Sequence, residues 1–189
     1  MPDIERFVKE KLNPLYKAHY ALWVYWWPLW RSAYSARNIL QKWEELNLVK
    51  RGQSFLDYGC GTGSFAIPAA RMVGPEGKIY ALDCFPRQLE IVEKRSKREG
   101  LTNIETIVSD NKTDLPDECV DVIWMCDVLH ELEERRAVLE ELHRVLRKNG
   151  TMVIYDGMRE RVLDYTNGLF SLTRKDDKFL GFTKIKVTG

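Results

Sequence analysis

Short apolar runs alternate with amphipathic stretches along most of this chain. The runs are Phe55 to Tyr58, Lys78 to Asp83, Ile104 to Asp110, Val120 to Cys126 and Thr151 to Tyr155. Each is too short for a stable helix and is bounded by turn residues, so each predicts a strand. Val120 to Cys126 is apolar almost throughout, as expected of a strand covered on both faces. Between the strands the period changes. Phe65 to Met72 predicts a short helix stopped at Gly74-Pro75, and about Pro86 to Glu99 a second one closed by Gly100. Glu133 to Arg147 carries Val138, Leu139, Leu142, Val145 and Leu146 on one side and ends at Asn149-Gly150. Alternation of this kind specifies an α/β fold, a parallel sheet with helices on both faces and right-handed crossovers. Beyond it, Met158 to Asn167 predicts a short helix. Leu169 to Thr173 and Phe179 to Val187, around Lys175-Asp176-Asp177-Lys178, predict a hairpin.

Residues 1–50 have a different pattern and form an aromatic-rich helical extension ahead of a sheet domain over 51–189. Tyr16, Tyr20, Trp23, Trp27, Trp30 and Tyr34 follow spacings of 4, 3, 4, 3 and 4, a helical stripe. Asn13-Pro14 and Trp27-Pro28 punctuate it, and Pro28 suits the first turn of a new helix. Ile39, Leu40, Trp43 and Leu46 make the stretch from Ala33 to Leu48 amphipathic, and Lys50-Arg51-Gly52-Gln53 turns into the first strand. Three readings of the extension remain open: packing against the sheet, a lid over an apolar acceptor, or an interfacial membrane anchor. Lys9, Lys11, Lys17, Arg31 and Arg37 would suit anionic lipid in the last case.

Composition narrows the function. The chain has 189 residues, one domain's worth, and a net charge of +1, which offers no electrostatic case for nucleic acid. Cys60, Cys84, Cys119 and Cys126 show no CxxC spacing, so neither a disulfide framework nor a metal site is expected. No apolar run is long enough to span a bilayer and no signal peptide opens the chain, so a cytoplasmic location is expected.

Chemistry concentrates at Asp57-Tyr58-Gly59-Cys60-Gly61-Thr62-Gly63-Ser64, between the first strand and the first helix of the sheet domain. Glycine there lets the backbone come close to a ligand. A dinucleotide fingerprint, Gly-x-Gly-x-x-Gly, fits in neither register: its last glycine falls on Ser64 or Ala66. The loop resembles instead that of class I S-adenosylmethionine-dependent methyltransferases, acid-x-Gly-x-Gly-x-Gly. Ile67-Pro68-Ala69-Ala70-Arg71, Val73 to Asp83 and Asp127-Val128-Leu129-His130-Glu131-Leu132 resemble the small-molecule group that includes quinone and arsenite methyltransferases. The resemblance covers roughly residues 50–189. It implies a Rossmann-like fold with a mostly parallel seven-stranded sheet, helices on both faces and a C-terminal antiparallel hairpin.

It also implies S-adenosylmethionine as cofactor. Asp57, Tyr58, Gly59, Cys60, Gly61 and Gly63 would hold its methionine part, and Asp83, ending the second strand, would bind the ribose. Cys84, Phe85 and Gln88 would flank the adenine, with Asp110 and Asn111 at its amino group, and Cys126 and Asp127 would close the site. In an open sheet of this kind ligands sit at the carboxyl ends of the strands. His130, just after the fourth strand, is the candidate general base. It is weighed against a structural role at the start of the next helix. His19, Tyr20, Tyr155 and Asp156 are weaker candidates, and His143 reads as a surface residue. No Asp/Asn-Pro-Pro-Tyr/Phe signature follows the fourth strand, which argues against a nucleobase methyltransferase. The expected partner is a small, apolar or lipid-like acceptor met by Tyr20, Trp23, Trp27, Trp30 and His130, with peripheral membrane contact open. The alternative is a module that binds S-adenosylmethionine without catalysis.

Overall fold

The structure is a computed structural model that describes residues 33–157, 159–176 and 179–185. In order, the described elements are α1 (Ala33–Glu45), β1 (Ser54–Tyr58), α2 (Ala66–Val73), β2 (Lys78–Asp83), α3 (Pro86–Arg98) and β3 (Ile104–Val108). They continue with β4 (Val120–Cys126), a 3₁₀ turn at Leu129–Glu131, α4 (Arg135–Val145), β5 (Leu146–Tyr155), α5 (Arg159–Thr166), β6 (Phe170–Lys175) and β7 (Leu180–Lys184). All seven strands lie in the second of the two units into which the chain divides, Trp43–Gly189.

The strands form one sheet in the order β3-β2-β1-β4-β5-β7-β6. The first five run parallel, and β7 is inserted antiparallel between β5 and β6. This is the class I methyltransferase topology expected from the sequence. The order reverses between β1 and β4, from which the chain crosses over in opposite directions, to β2 and to β5, so the carboxyl ends of these strands border the ligand crevice of such a sheet.

Alternation along the strands divides two hydrophobic layers. Leu56, Tyr58, Ile123, Met125, Met152 and Ile154 pack with Val138, Leu139, Leu142 and Val145 of α4, Val162 of α5, and Leu180 and Phe182 of β7. Full burial of each such aliphatic side chain contributes about 1.5–3 kcal/mol. An aromatic layer occupies the other register. Trp43 meets Trp124 edge-on at 4.9 Å and Phe55 at 5.3 Å, and Phe65 stands 5.2 Å from Trp124. Both buried indole N–H groups lack an acceptor, a penalty of about 1–3 kcal/mol each that the aromatic burial outweighs.

The structure departs from the sequence pattern at several points. β3 stops at Val108, leaving Asp110 two residues beyond it in the following turn. α4 ends at Val145, and Leu146 already pairs with Val120 of β4; after an irregularity the ladder resumes at Val122 and Thr151. Gly150 therefore does not cap the helix. A Cβ there would lie 2.6 Å from Leu146 Cδ1 and 2.9 Å from the Asp121 carbonyl oxygen, so only glycine lets the two strands approach. His143 is not a plain surface residue: it is half-buried, its ring edge-on to Phe170 at 5.4 Å. Burial, with Lys184 nearby, lowers its pKa.

Candidate active site at the strand ends

β1 delivers Asp57 and the glycine loop to the crevice. Gly59 and Cys60 donate their N–H groups to the Leu82 carbonyl at 2.8 and 2.9 Å, which bends the chain over the end of β2. Gly59 has φ +74°, and a Cβ on it would collide with the Val128 side chain. Gly61 has φ +52°, and a Cβ on it would meet nothing within 4 Å. One glycine therefore makes room for the protein, the other leaves open space. Gly63 is buried, against Val92 of α3. Arg95, also on α3, ties the loop down by donating to the Thr62 carbonyl at 2.7 Å; nothing in the sequence pattern marks that contact.

Asp57 is 1% exposed. Its Oδ2 is buried with no hydrogen-bond partner. Burial pushes its carboxyl from the ordinary 3.8 up to about 8, opposed by a hydrogen bond from the Ala66 N–H and reinforced by Asp83. Asp83 ends β2, as expected, and one of its oxygens accepts the Gly61 N–H while the other accepts the Phe85 N–H, each at 2.9 Å. Burial raises its pKa against these backbone bonds. The Cys84 N–H also bonds this carboxyl, and the lone pair left over can accept from a ribose hydroxyl.

The other strand-end residues divide by depth. Tyr58 is buried in the core, and its hydroxyl donates to the Asp110 carbonyl, so its side chain anchors the turn after β3. That turn holds half-buried Asp110 and exposed Asn111 at the surface. Cys60 is buried, its thiol pKa raised by burial, with Asp57 and Asp83 adding to it, which disfavours the nucleophilic thiolate. Cys84 and Phe85 are half-buried, and Gln88 is buried in the first turn of α3. Cys126 is the last residue of β4, and Asp127 follows in the left-handed region, φ +53°, with its N–H bonded to the Tyr155 carbonyl at 2.7 Å.

His130 sits in the 3₁₀ turn beyond β4. Its Nδ1 lies 3.1 Å from Asp156 Oδ2, and its backbone N–H donates to the same oxygen at 3.2 Å. Nε2 lies 3.0 Å from Glu131 Oε1. Burial lowers the His130 pKa, but the Asp156 hydrogen bond and the charges of Asp156, Glu131 and Asp127 outweigh it, so the net shift is upward. Asp156 is thus a partner of the histidine and not a competing base. Tyr20, Trp23, Trp27 and Trp30, expected to meet the acceptor, lie outside the described residues, as does His19. Among the described residues no group of three or more acidic, Cys or His side chains is arranged to hold a metal, and no helix is long and apolar enough to cross a membrane.

A buried acid, a glycine loop and a second acid at the neighbouring strand end, on a sheet of this order, define the methyltransferase class, and the chain belongs to the methyltransferase domain family, whose model matches residues 49–179. It is similar to the demethylmenaquinone methyltransferase of Geobacillus stearothermophilus, 36% identical over 107 residues, which is 56% of this chain and 45% of that protein. The aligned stretch is thus about half the length of that curated relative. Among solved structures, a SAM-dependent methyltransferase from Aquifex aeolicus superposes with a TM-score of 0.68 at 27% identity, over 79% of this chain and 88% of the other. An arsenic(III) S-adenosylmethionine methyltransferase from Chlamydomonas reinhardtii gives 0.52 at 29% identity, over 56% and 39%.

Proposed function

We propose that this chain transfers a methyl group from S-adenosylmethionine to a small apolar acceptor of the naphthoquinol type. The observation that carries the reading is Asp57 Oδ2, walled off from water and without a hydrogen-bond partner, at the head of a loop in which Gly61 leaves open space. A buried carboxyl oxygen without a partner is costly, and burial keeps the group neutral until a cationic ligand draws it into its ionised form. S-adenosylmethionine supplies a cationic amino group for that purpose and a sulfonium methyl as electrophile. The donor set fits the rest of the molecule, with Asp83 toward the ribose, Asp110 and Asn111 toward the adenine amino group, and Cys84, Phe85 and Gln88 around the ring. Cys60, Cys126 and Asp127 border the crevice, while Tyr58 and Gly63 hold the turn after β3 and the glycine loop from behind.

The protein's own work in such a displacement is alignment and exclusion of water. A quinol arrives protonated, so a base is required, and His130 takes the hydroxyl proton on Nε2. The acceptor class is supported by the similarity to the Geobacillus enzyme. Tyr20, Trp23, Trp27 and Trp30 are our candidates for meeting such an acceptor, on their helical spacing in the sequence alone. The test incubates the full chain with methyl-labelled S-adenosylmethionine and a short-prenyl naphthoquinol lacking the ring methyl, with arsenite in parallel. Label in the quinol is the expected result. Label in arsenite alone would replace the acceptor. A chain that binds the cofactor and labels neither favours the non-catalytic module.

A further inference from the structure

We infer that Asp156 is a positioning residue for His130, its buried carboxylate fixing the imidazole proton on Nδ1 and leaving Nε2 as the basic nitrogen. The inference rests on the reading of His130 as the base for the acceptor. The geometry is a double clamp. One oxygen of Asp156, whose side chain is 0% exposed, receives both the ring Nδ1 at 3.1 Å and the backbone N–H at 3.2 Å of the same histidine. Rotating the ring would abandon a buried acceptor, so the ring is held to one face. The turn is held from the other side by Arg135, whose Nε donates to the Leu129 carbonyl at 3.0 Å and Nη2 to the His130 carbonyl at 2.9 Å. The Arg135 guanidinium in turn lies over the Tyr165 ring of α5, 5.4 Å from its centroid.

Strand pairing sets the span between the two partners. Cys126 and Tyr155 end β4 and β5 side by side, and the Asp127 N–H bonds the Tyr155 carbonyl. Asp156 thus follows one strand end and the histidine turn follows the other. The charged groups facing the imidazole are Asp156 from the end of β5, Glu131 on its own turn and Asp127 after β4, while Arg135 of α4 meets it only through the backbone carbonyl. The two nearest carboxylates are not equivalent. Asp156 is buried and also bonded by the His130 backbone N–H, whereas the Glu131 side chain is 60% exposed, so an acceptor hydroxyl can displace it from Nε2 at little cost. The acceptor O–H bond then breaks, its electron pair stays on oxygen, the proton forms the Nε2–H bond, and Asp156 keeps its charge beside the new imidazolium.

Neutral imidazole in water prefers its proton on Nε2, so the inferred state is distinctive. Long-range proton–nitrogen NMR of the ¹⁵N-labelled full chain reads it directly, with His130 assigned by comparison with His130→Gln. The expected spectrum at high pH shows neutral His130 protonated on Nδ1; protonation on Nε2 overturns the inference. In parallel, Asp156→Asn should lower kcat with S-adenosylmethionine and the short-prenyl naphthoquinol about a hundredfold. It should also move the acidic limb of kcat/KM to lower pH by about one unit, with cofactor affinity within about threefold. A loss of kcat with an unmoved limb marks Asp156 as merely structural and overturns the inference. If the Asn variant does not fold, the wild-type tautomer decides alone. If the wild type labels no acceptor, methyl transfer falls while the tautomer measurement still decides the Asp156 contact.

Discussion

Raising the pH should tighten the cofactor's grip on this protein, because Asp57 must lose a proton to receive it. Burial lifts the carboxyl from 3.8 to about 8, against the Ala66 N–H and with help from Asp83. A gap of about four units corresponds to roughly 5 kcal/mol of bias toward the neutral acid. Near neutral pH the free protein therefore holds Asp57 protonated, while the unfolded chain has it ionised. The unfolded state then binds fewer protons, so this group makes the free protein less stable as pH rises from about 4 to about 8. A bound cationic amino group reverses the preference, and binding expels a proton. Affinity should climb nearly tenfold per unit between about pH 5.5 and 7. Titration calorimetry in two buffers of different ionisation enthalpy should register close to one proton released per cofactor bound at about pH 6. Asp57→Asn should abolish both the slope and the release. A flat pH profile in the wild type, without proton release, would mean that Asp57 is already ionised in the free protein.

The two glycines predict opposite phenotypes. Gly61→Ala costs about 1–2 kcal/mol of left-handed backbone strain, visible as a modest shift of the urea midpoint. Its Cβ enters the open space of the loop, so calorimetric affinity for S-adenosylmethionine should fall at least about tenfold. Gly59→Ala adds a collision with Val128 to the same strain, and its urea midpoint should drop well below that of Gly61→Ala.

Much of the fold was legible because each strand is a compact apolar run with a distinct stop. β2 and β4 run from Lys78 to Asp83 and from Val120 to Cys126, as the pattern predicts. The start of β5 was not, because Asn149-Gly150 has the chemistry of a helix stop. What glycine satisfies there is a close approach to the Asp121 carbonyl, a contact between strands that local sequence does not display. The same limit applies to the candidate site. Asp57, Asp83 and the glycines announce themselves by spacing within one strand–turn–helix unit. His130 was singled out, but its attachment to Asp156 joins residues 26 apart, and Arg95 reaches the glycine loop across 33. Such partners meet because strands β4 and β5 pair and because α3 packs beside the loop. His143 reads as a surface residue from sequence for a related reason: its neighbour Phe170 is on β6, far along the chain.

This strand-end loop is built for S-adenosylmethionine and not for a dinucleotide. Equilibrium dialysis of the full chain against labelled S-adenosylmethionine tests it most directly, with unlabelled S-adenosylhomocysteine and NAD as competitors. Saturation at one cofactor per chain, displaced by S-adenosylhomocysteine and untouched by NAD, is the predicted result. Displacement by NAD, or no retention of the labelled cofactor, would contradict it.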